Sequence, residues 1–332
     1  MTTLYLTEQG STLQRQNERL IIKNGDGTVN EIPLIKVDRV VVLGRVHLTT
    51  GAINTLLSNG IDTTFLSSRG QLRGRLTALE SKNAPLRLKQ YERASDPSFC
   101  YEVARRIVRS KITSSLRVVM RYERNHPEAD FQAQMRELER TLLSGLRAET
   151  LDGLRGIEGH AAAIYFATYG QMFRGPLRFH KRSRRPPLDP VNAVLSFGYT
   201  LLTAEAIGIV SAVGFDPYIG FFHAMEYGRC SLALDLIEEF RAAIIDRMAL
   251  TLFNNQILTP EDFHAVETGG IWLNEQGRKR FLAEYDRTMA RKFVSRHTGH
   301  QTTFRRLMLN QAERLARTVQ FNEPYEPYEA EH

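Results

Sequence analysis

Three separated stretches of this 332-residue chain hold residue types that could do chemistry together: Arg155-Gly156-Ile157-Glu158-Gly159, Phe221-Phe222-His223 and Asp235-Leu236-Ile237-Glu238-Glu239. They set an imidazole and several carboxylates in apolar or glycine-rich surroundings, and together these could converge on one divalent metal. Hard ions such as Mg²⁺ and Mn²⁺ favour oxygen ligands, and Mn²⁺ also tolerates imidazole. The chain around them is strongly basic, with 44 Lys and Arg against 37 Asp and Glu and a net charge of +7. A metal ion beside a phosphate-attracting surface is the equipment needed to cut or join nucleic acid.

Glu158 lies early in a helix expected to begin near Leu151, with Ala162, Tyr165 and Tyr169 following on one side at helical spacing. A carboxylate in that setting is partly desolvated and needs a cation, although the helix dipole alone would also favour it. His160 points about 200° round the same helix and is a poor co-ligand. Asp235, Glu238, Glu239 and Asp246 fall within an arc of about 100° at 3.6 residues per turn, opposite Leu236, Ile237, Phe240 and Ile244. The same pattern describes a solvated acidic face on an amphipathic helix. Periodicity does not choose between Glu238 and Glu239 as a ligand. His223 follows the apolar run Pro217-Tyr218-Ile219-Gly220-Phe221-Phe222. A neutral imidazole there ligates through one nitrogen when a hydrogen bond holds the other, and it also suits plain packing.

These residues need elements to position them. The first ~80 residues read mainly as strands: Thr3–Leu6, Thr12–Gln16, Arg19–Lys23, Val29–Leu34, Arg39–Leu43, Asp62–Leu66 and Gln71–Leu79. A short helix near Thr49 to Asn59 interrupts them, and Asn24-Gly25-Asp26-Gly27 suits a hairpin turn. Lys82 to Pro85 reads as the connection out. Beyond it the pattern is helical, over Phe99–Arg124, Ala129–Ala148, Leu151–Phe173, Pro190–Ile209, Ser231–Phe253, Gly277–Phe293 and Thr302–Val319. Asp189-Pro190 supplies an N-cap and a first-turn proline. Gly269 to Leu273 reads as a small strand or hairpin. The expected fold class is α+β: a β-rich region over 1–85, a larger all-α region over 86–321, and an acidic, disordered tail over 322–332.

Charge is segregated along the chain. Arg178 to Arg185 holds five cations and no anion, Arg105 to Arg124 seven cations and one Glu, and Arg278 to Arg317 eleven cations and three acids. The tail after Asn322 has four Glu and no cation. Such segregation suggests an extended polyanion as partner. Arg178, Lys181, Arg182, Arg184 and Arg185, in an expected loop, are the leading contacts, because five cations in eight residues repel one another. Arg291, Lys292, Arg296, Arg305 and Arg306 extend the track, and Tyr165 and Asn192 could position a strand. Cys100 and Cys230 are too few for a disulfide framework and too far apart for a CxxC zinc pair. The first residues, MTTLYLTEQG, lack the basic and apolar segments of a signal peptide. Ala193 to Phe215 is interrupted by polar residues and glycines and fits a buried helix better than a bilayer span. The expected location is cytoplasmic, with no membrane partner.

Taken together and in order, the motifs LRGIEGHAAAIYF (Leu154–Phe166), RFHKRSRRPPLDPVNAVLSFGYTLL (Arg178–Leu202), GFFHAMEYGRCSLALDLIEEFR (Gly220–Arg241) and GGIWLNEQGRKRF (Gly269–Phe281) resemble the CRISPR-associated endonuclease/integrase of spacer acquisition. The resemblance covers nearly the whole chain. It implies an N-terminal β-sandwich-like domain that contributes to a homodimer and a helical catalytic domain. It also implies a divalent metal, Mg²⁺ or Mn²⁺, held by Glu158, His223 and Glu238, with Asp235 as a further catalytic acid near it. Glu238 stands where some members carry Asp. The implied reaction is transesterification, in which the 3′-hydroxyl of a double-stranded prespacer attacks a repeat junction of the CRISPR array. A small ferredoxin-like CRISPR-associated adaptation subunit is the implied partner. Two other readings compete: a non-catalytic DNA-binding scaffold, and a general metal nuclease acting on branched DNA in repair.

Overall fold

The run Arg39-Val40-Val41-Val42-Leu43 has no polar alternation, the pattern of a strand buried on both faces. A computed structural model of the chain describes residues 2–79, 81, 83–145, 147–266, 269–295 and 299–329. In it the first strands are β1 (Thr3–Leu6), β2 (Thr12–Gln16), β3 (Arg19–Lys23), β4 (Val29–Pro33), β5 (Arg39–Leu43) and β6 (His47–Leu48). Helix α1 (Thr50–Ser58) follows, and then β7 (Asp62–Leu66) and β8 (Leu72–Leu76). The sheets have strand orders β1-β5-β7-β8 and β4-β3-β2-β6. β5 is parallel to both neighbours, with Val41 opposite Tyr5 and Thr64. Val40 and Val42 join Leu4, Leu13, Leu20 and Leu56 in a core shared by both sheets and α1, the sandwich-like arrangement expected. Val41 and Leu43 point the other way and join the core of the helical region. One strand thereby belongs to both cores, and the β-rich part is not sealed off from the rest. The Asn24–Gly27 turn joins antiparallel β3 and β4 as expected, with Asn24 N donating to Thr28 O at 2.9 Å.

The helical part opens with α2 (Ala84–Ala94), which the apolar pattern did not flag. Only Leu86 and Gln90 of this helix are buried, too few for a periodic signal. Next come α3 (Pro97–Asn125), α4 (Gln132–Gly145), α5 (Leu151–Gly170) and α6 (Pro190–Val213). Asp189 caps α6 as expected, accepting from Asn192 N at 2.7 Å. The apolar window of α6 is 78% buried in the protein, which makes it a core helix. Gly214 ends it at φ 115°, where a side chain would lie 2.6 Å from Asn83 Cβ.

Ser231–Phe253 is not the single helix expected. It forms α7 (Ser231–Glu238), a turn, a π-helical segment (Ala242–Asp246) and α8 (Arg247–Asn254). The chain continues through β9 (Phe263–Ala265), β10 (Ile271–Leu273), α9 (Glu275–Ala290), β11 (Phe293–Val294), β12 (Gln301–Thr302) and α10 (Phe304–Phe321). Two small antiparallel sheets, β9–β10 and β11–β12, therefore qualify the all-α expectation. The tail departs from expectation as well. Residues 322–329 lie against the helices, with Tyr325 buried and Tyr328 stacked on Phe240 at 4.9 Å between centroids. Aromatic area, invisible to a charge count, holds this segment down.

A buried ion network locks the two parts together. Glu205 of α6 lies 3.2 Å from Arg39 Nη1 of β5 and 3.4 Å from Arg305 Nη2 of α10. Arg305 also reaches Asp286 at 3.0 Å. Asp62 of β7 accepts from Arg75 Nη2 at 2.6 Å, and Arg75 Nη1 donates to Ser211 of α6 at 3.4 Å. Arg305, expected on a DNA track, is instead only 6% exposed and held by carboxylates. Removing one member of such a network leaves an uncompensated buried charge. Arg305→Ala is expected to lose about 3–5 kcal/mol in urea unfolding; a surface cation would cost within about 0.5 kcal/mol.

Candidate functional site

Helix α5 starts at a Thr150 cap, whose Oγ1 accepts from Gly153 N at 3.1 Å, and carries Glu158 two turns in. It packs along α3, which presents Lys111. The Lys111 ammonium contacts Glu158 Oε1 and Glu238 Oε2 together, so one cation bridges two carboxylates 80 residues apart in sequence. Glu238, at the end of α7, is 2% exposed. Its other oxygen accepts from Arg241 Nη1 at 2.6 Å and lies 3.7 Å from His223 Nε2. Burial on its own would raise the Glu238 carboxyl, but Arg241, Lys111 and His223 hold it far below the usual carboxylate range.

Asp235 builds the loop that delivers His223. Its carboxylate accepts from the backbone N–H groups of Phe221 at 2.7 Å, Phe222 at 3.0 Å and His223 at 2.9 Å. It also meets His223 Nδ1 at 2.7 Å. A carboxylate with these donors only accepts, so Nδ1 donates to it and Nε2 is the ring nitrogen turned toward Glu238. Gly220 is required here, because a side chain would lie 2.8 Å from Asp235 Oδ2. Asp235, the further acid expected near the metal, orients the loop and the imidazole in the fold.

The four carboxylates predicted on one arc part company. All four are buried, and none forms a solvated face. The turn after Glu238 and the π segment break the 3.6-residue phase. Glu239 faces the tail and accepts from Tyr328 N at 2.6 Å, from Gln311 Nε2 at 3.1 Å and from the Tyr325 hydroxyl. Burial, opposed by those donors, raises its carboxyl to about 7. Asp246 accepts from the hydroxyls of Tyr199 and, at 2.9 Å, Tyr165. Burial raises its carboxyl too, against those hydroxyls and Arg241. Packing thus sets Glu238, and not Glu239, beside Glu158 and His223. His160 points away toward Glu137, at 3.7 Å, as its helical phase requires.

Lys111, Glu158, Glu238, Arg241 and Asp246 line a cavity of about 40 Å³ that Arg184 also borders. Two glutamates already gathered round a cation, with an imidazole Nε2 beside them, are a donor set whose chemistry fits a hard divalent ion tolerant of nitrogen. Among the described residues no three His, Cys, Asp or Glu side chains stand close enough to hold a metal ion, and the Lys111 ammonium lies between Glu158 and Glu238. Sequence reasoning missed Lys111 and Arg241, although Lys111 lay in the flagged cation-rich run from Arg105 to Arg124. It also missed Arg155, whose Nη2 donates to Phe222 O at 3.0 Å and pins the His223 loop to α5.

The expected DNA contacts divide. Arg178, Lys181, Arg184, Arg185, Arg291, Lys292 and Arg306 are exposed; Arg296 lies outside the described residues. Arg182 is folded inward, donating to Asn192 Oδ1 at 2.6 Å and Ser196 Oγ at 3.1 Å, with its guanidinium 5.4 Å from the Tyr199 ring. Asn192 is fully buried and fastens the loop through Ser183 N and Lys181 O, at 2.9 and 2.8 Å. Tyr165 is buried against Asp246. These three support the basic loop from behind rather than face solvent, because each has a polar partner inside. Arg184 and Arg185 border a groove of about 1070 Å³ with Arg69, Arg229 and Arg278, and among the described residues no carboxylate lines it.

The buried acid–imidazole centre and the groove of arginines share Arg184, an arrangement suited to phosphodiesters. The family model for CRISPR associated protein Cas1 matches residues 4–287, and this chain belongs to the Cas1 family. A curated relative from Thermus thermophilus, "CRISPR-associated endonuclease Cas1 3", is 35% identical over 325 residues, covering 98% of this chain and 94% of its own. A Cas1 structure from Thermotoga maritima aligns with a TM-score of 0.82 at 26% identity, covering 100% of both chains. The fold also matches a casposase bound to integration product, with a TM-score of 0.88 at 24% identity, over 100% of this chain and 96% of that one.

Asp235→Asn is expected to move the His223 proton from Nδ1 to Nε2, since the amide offers a donor where the carboxylate accepted. Nitrogen–proton correlation spectra of the imidazole read this directly. An unchanged Nδ1–H tautomer would refute the orienting role.

Proposed function

We propose that the chain is a metal-dependent DNA endonuclease and integrase that inserts new spacers into a CRISPR array. The observation that carries this reading is the cation bridge at Lys111, which brings Glu158 and Glu238 together beside Nε2 of His223. Glu158, His223 and Glu238 would hold Mg²⁺ or Mn²⁺. When bound, the ion polarises a phosphate and stabilises charge on the attacking and leaving oxygens. Asp235 keeps His223 in the ligating tautomer, and Arg241 keeps Glu238 ionised. The buried setting limits water, which favours a nucleic-acid hydroxyl as the attacking group.

In this reading the 3′-hydroxyl of a prespacer strand forms a new P–O bond at a repeat junction. The junction's P–O3′ bond breaks, and a free 3′ end departs with the proton. Water in place of that hydroxyl gives endonuclease activity at the same site. The acid-free groove lined by Arg69, Arg184, Arg185, Arg229 and Arg278 supplies a track for the DNA backbone, and Arg184 joins it to the cavity. Exposed Arg178 and Lys181 extend that track along the loop. The family motifs further support a cytoplasmic homodimer acting with a small ferredoxin-like adaptation subunit.

The purified chain, its partner subunit, a labelled prespacer, an array plasmid and Mg²⁺ or Mn²⁺ test the reading. Glu158→Ala and His223→Ala are each expected to lower strand transfer by more than about 100-fold, and Asp235→Asn by about 10–100-fold. Full integration by Glu158→Ala would favour a scaffold role. Cleavage of branched DNA without any joining would favour a repair nuclease.

A further inference from the structure

A second cluster of arginines lies beyond the site just described, and neither the cavity nor the acid-free groove includes it. Arg121 of α3, Arg174 after α5, Arg247 of α8, and Arg287 and Arg291 of α9 line a pocket of about 430 Å³. No residue lines both this pocket and the metal-site cavity or the groove. The one carboxylate in its lining, Glu284, is taken by Arg287 at 2.7 Å. Among the described residues the guanidinium groups of Arg121, Arg247 and Arg291 have no carboxylate partner. Burial, with Arg121 and Arg291 nearby, lowers Arg247 to about 10. Like charges gathered round a concavity cost stability unless an anion enters.

The remaining walls indicate what kind of anion fits. Val118, Ile244, Met248 and Phe304 give apolar surface, and the Tyr122 and His126 rings lie together at the rim, 4.2 Å between centroids. Such a mixture suits a sugar–phosphate chain with its bases, which needs cations for phosphate and flat apolar faces for bases. Position agrees. Lys111 and Ser115 of α3 line the metal-site cavity, whereas Val118, Tyr122 and Asn125 line this pocket farther along the same helical stripe. Ala242 and Asp246 face the cavity while Ala243, Ile244 and Arg247 face the pocket.

We propose that this pocket is a second phosphate-binding site, which grips the backbone of a DNA strand running on from the metal site along α3. The inference rests on the DNA-processing reading for the identity of the anion, though not for the site's affinity for phosphate.

The full chain carrying Arg247→Gln, and the pair Arg121→Gln with Arg247→Gln, tests it. Wild type and variants are titrated with labelled duplex DNA over a series of salt concentrations, and melted with and without inorganic tripolyphosphate. The pair variant is expected to bind DNA more weakly and to show a log–log salt slope smaller by about 0.7–0.9 for each phosphate no longer neutralised. Tripolyphosphate should raise the Tm of wild type and not that of the pair variant. Without ligand, Arg247→Gln should melt at or above wild type, which separates weakened binding from impaired folding. If wild type ignores DNA while tripolyphosphate protection still depends on Arg247, the phosphate site stands and the DNA-processing reading falls. An unchanged DNA slope alongside abolished tripolyphosphate protection overturns the strand assignment in favour of a free polyphosphate. Equal DNA slopes and equal protection in all proteins overturn the site altogether.

Discussion

A carboxylate buried among apolar helices must be balanced by cations or lose its charge. Glu238 meets that condition through two cations on different elements, Lys111 of α3 and Arg241 just past α7, with His223 of the preceding loop beside it. The separation of these partners along the chain is what makes the site a property of the whole helical region. α3, α5 and α7 must pack together before the charge on Glu238 is tolerable. Glu158 joins the same cation and is drawn into place by it. Arg155 and Asp235 then fix the loop between them, so that the imidazole arrives with a defined tautomer.

The same constraint recurs at the seam between the β-rich and helical parts. Glu205 sits on the core helix α6 and is balanced by Arg39 from a strand and Arg305 from the last long helix. Buried ion pairs add little net stability compared with apolar packing, but each fixes one register, because a mismatched register leaves a bare charge. Here they fix how the sheet that contains β5 meets α6, which in turn carries Tyr199 and Asn192 to the back of the site and the basic loop. Glu239 does the equivalent at the C-terminal side, where the Tyr325 and Tyr328 segment closes over it.

The π-helical segment after α7 divides the functions of neighbouring residues. Continuous α-helix would have kept Glu238, Glu239 and Asp246 on one side. The turn and the wider helix instead send Glu238 to Lys111 and His223, Glu239 to the tail and Asp246 to the tyrosines. A break of this sort gives up regular hydrogen bonding and persists where side-chain contacts over-determine it. The contacts of Asp246 with Tyr165 and Tyr199 supply that here, and Arg247 is turned toward the arginine pocket as a result.

Much of this was legible in the chain itself. Strand-type residues and turn residues placed β1, β2, β3, β5 and β7 to the residue, since both are local properties, whereas the short β6, β9, β11 and β12 carry too few residues for a pattern. Asp189-Pro190 marked the start of α6 for the same reason. The types Glu158, His223, Asp235 and Glu238 pointed to a divalent ion, and the clustered cations to a polyanion, because charge and ligand preference reside in the side chain. Packing alone decided the rest. It chose Glu238 over Glu239, made Asp235 an orienting group, recruited Lys111 from a helix far away in sequence, and turned Arg305, Arg182, Asn192 and Tyr165 inward. Whether a polar side chain meets water or a buried partner depends on residues distant along the chain, and that pairing exists only once the helices have closed around it.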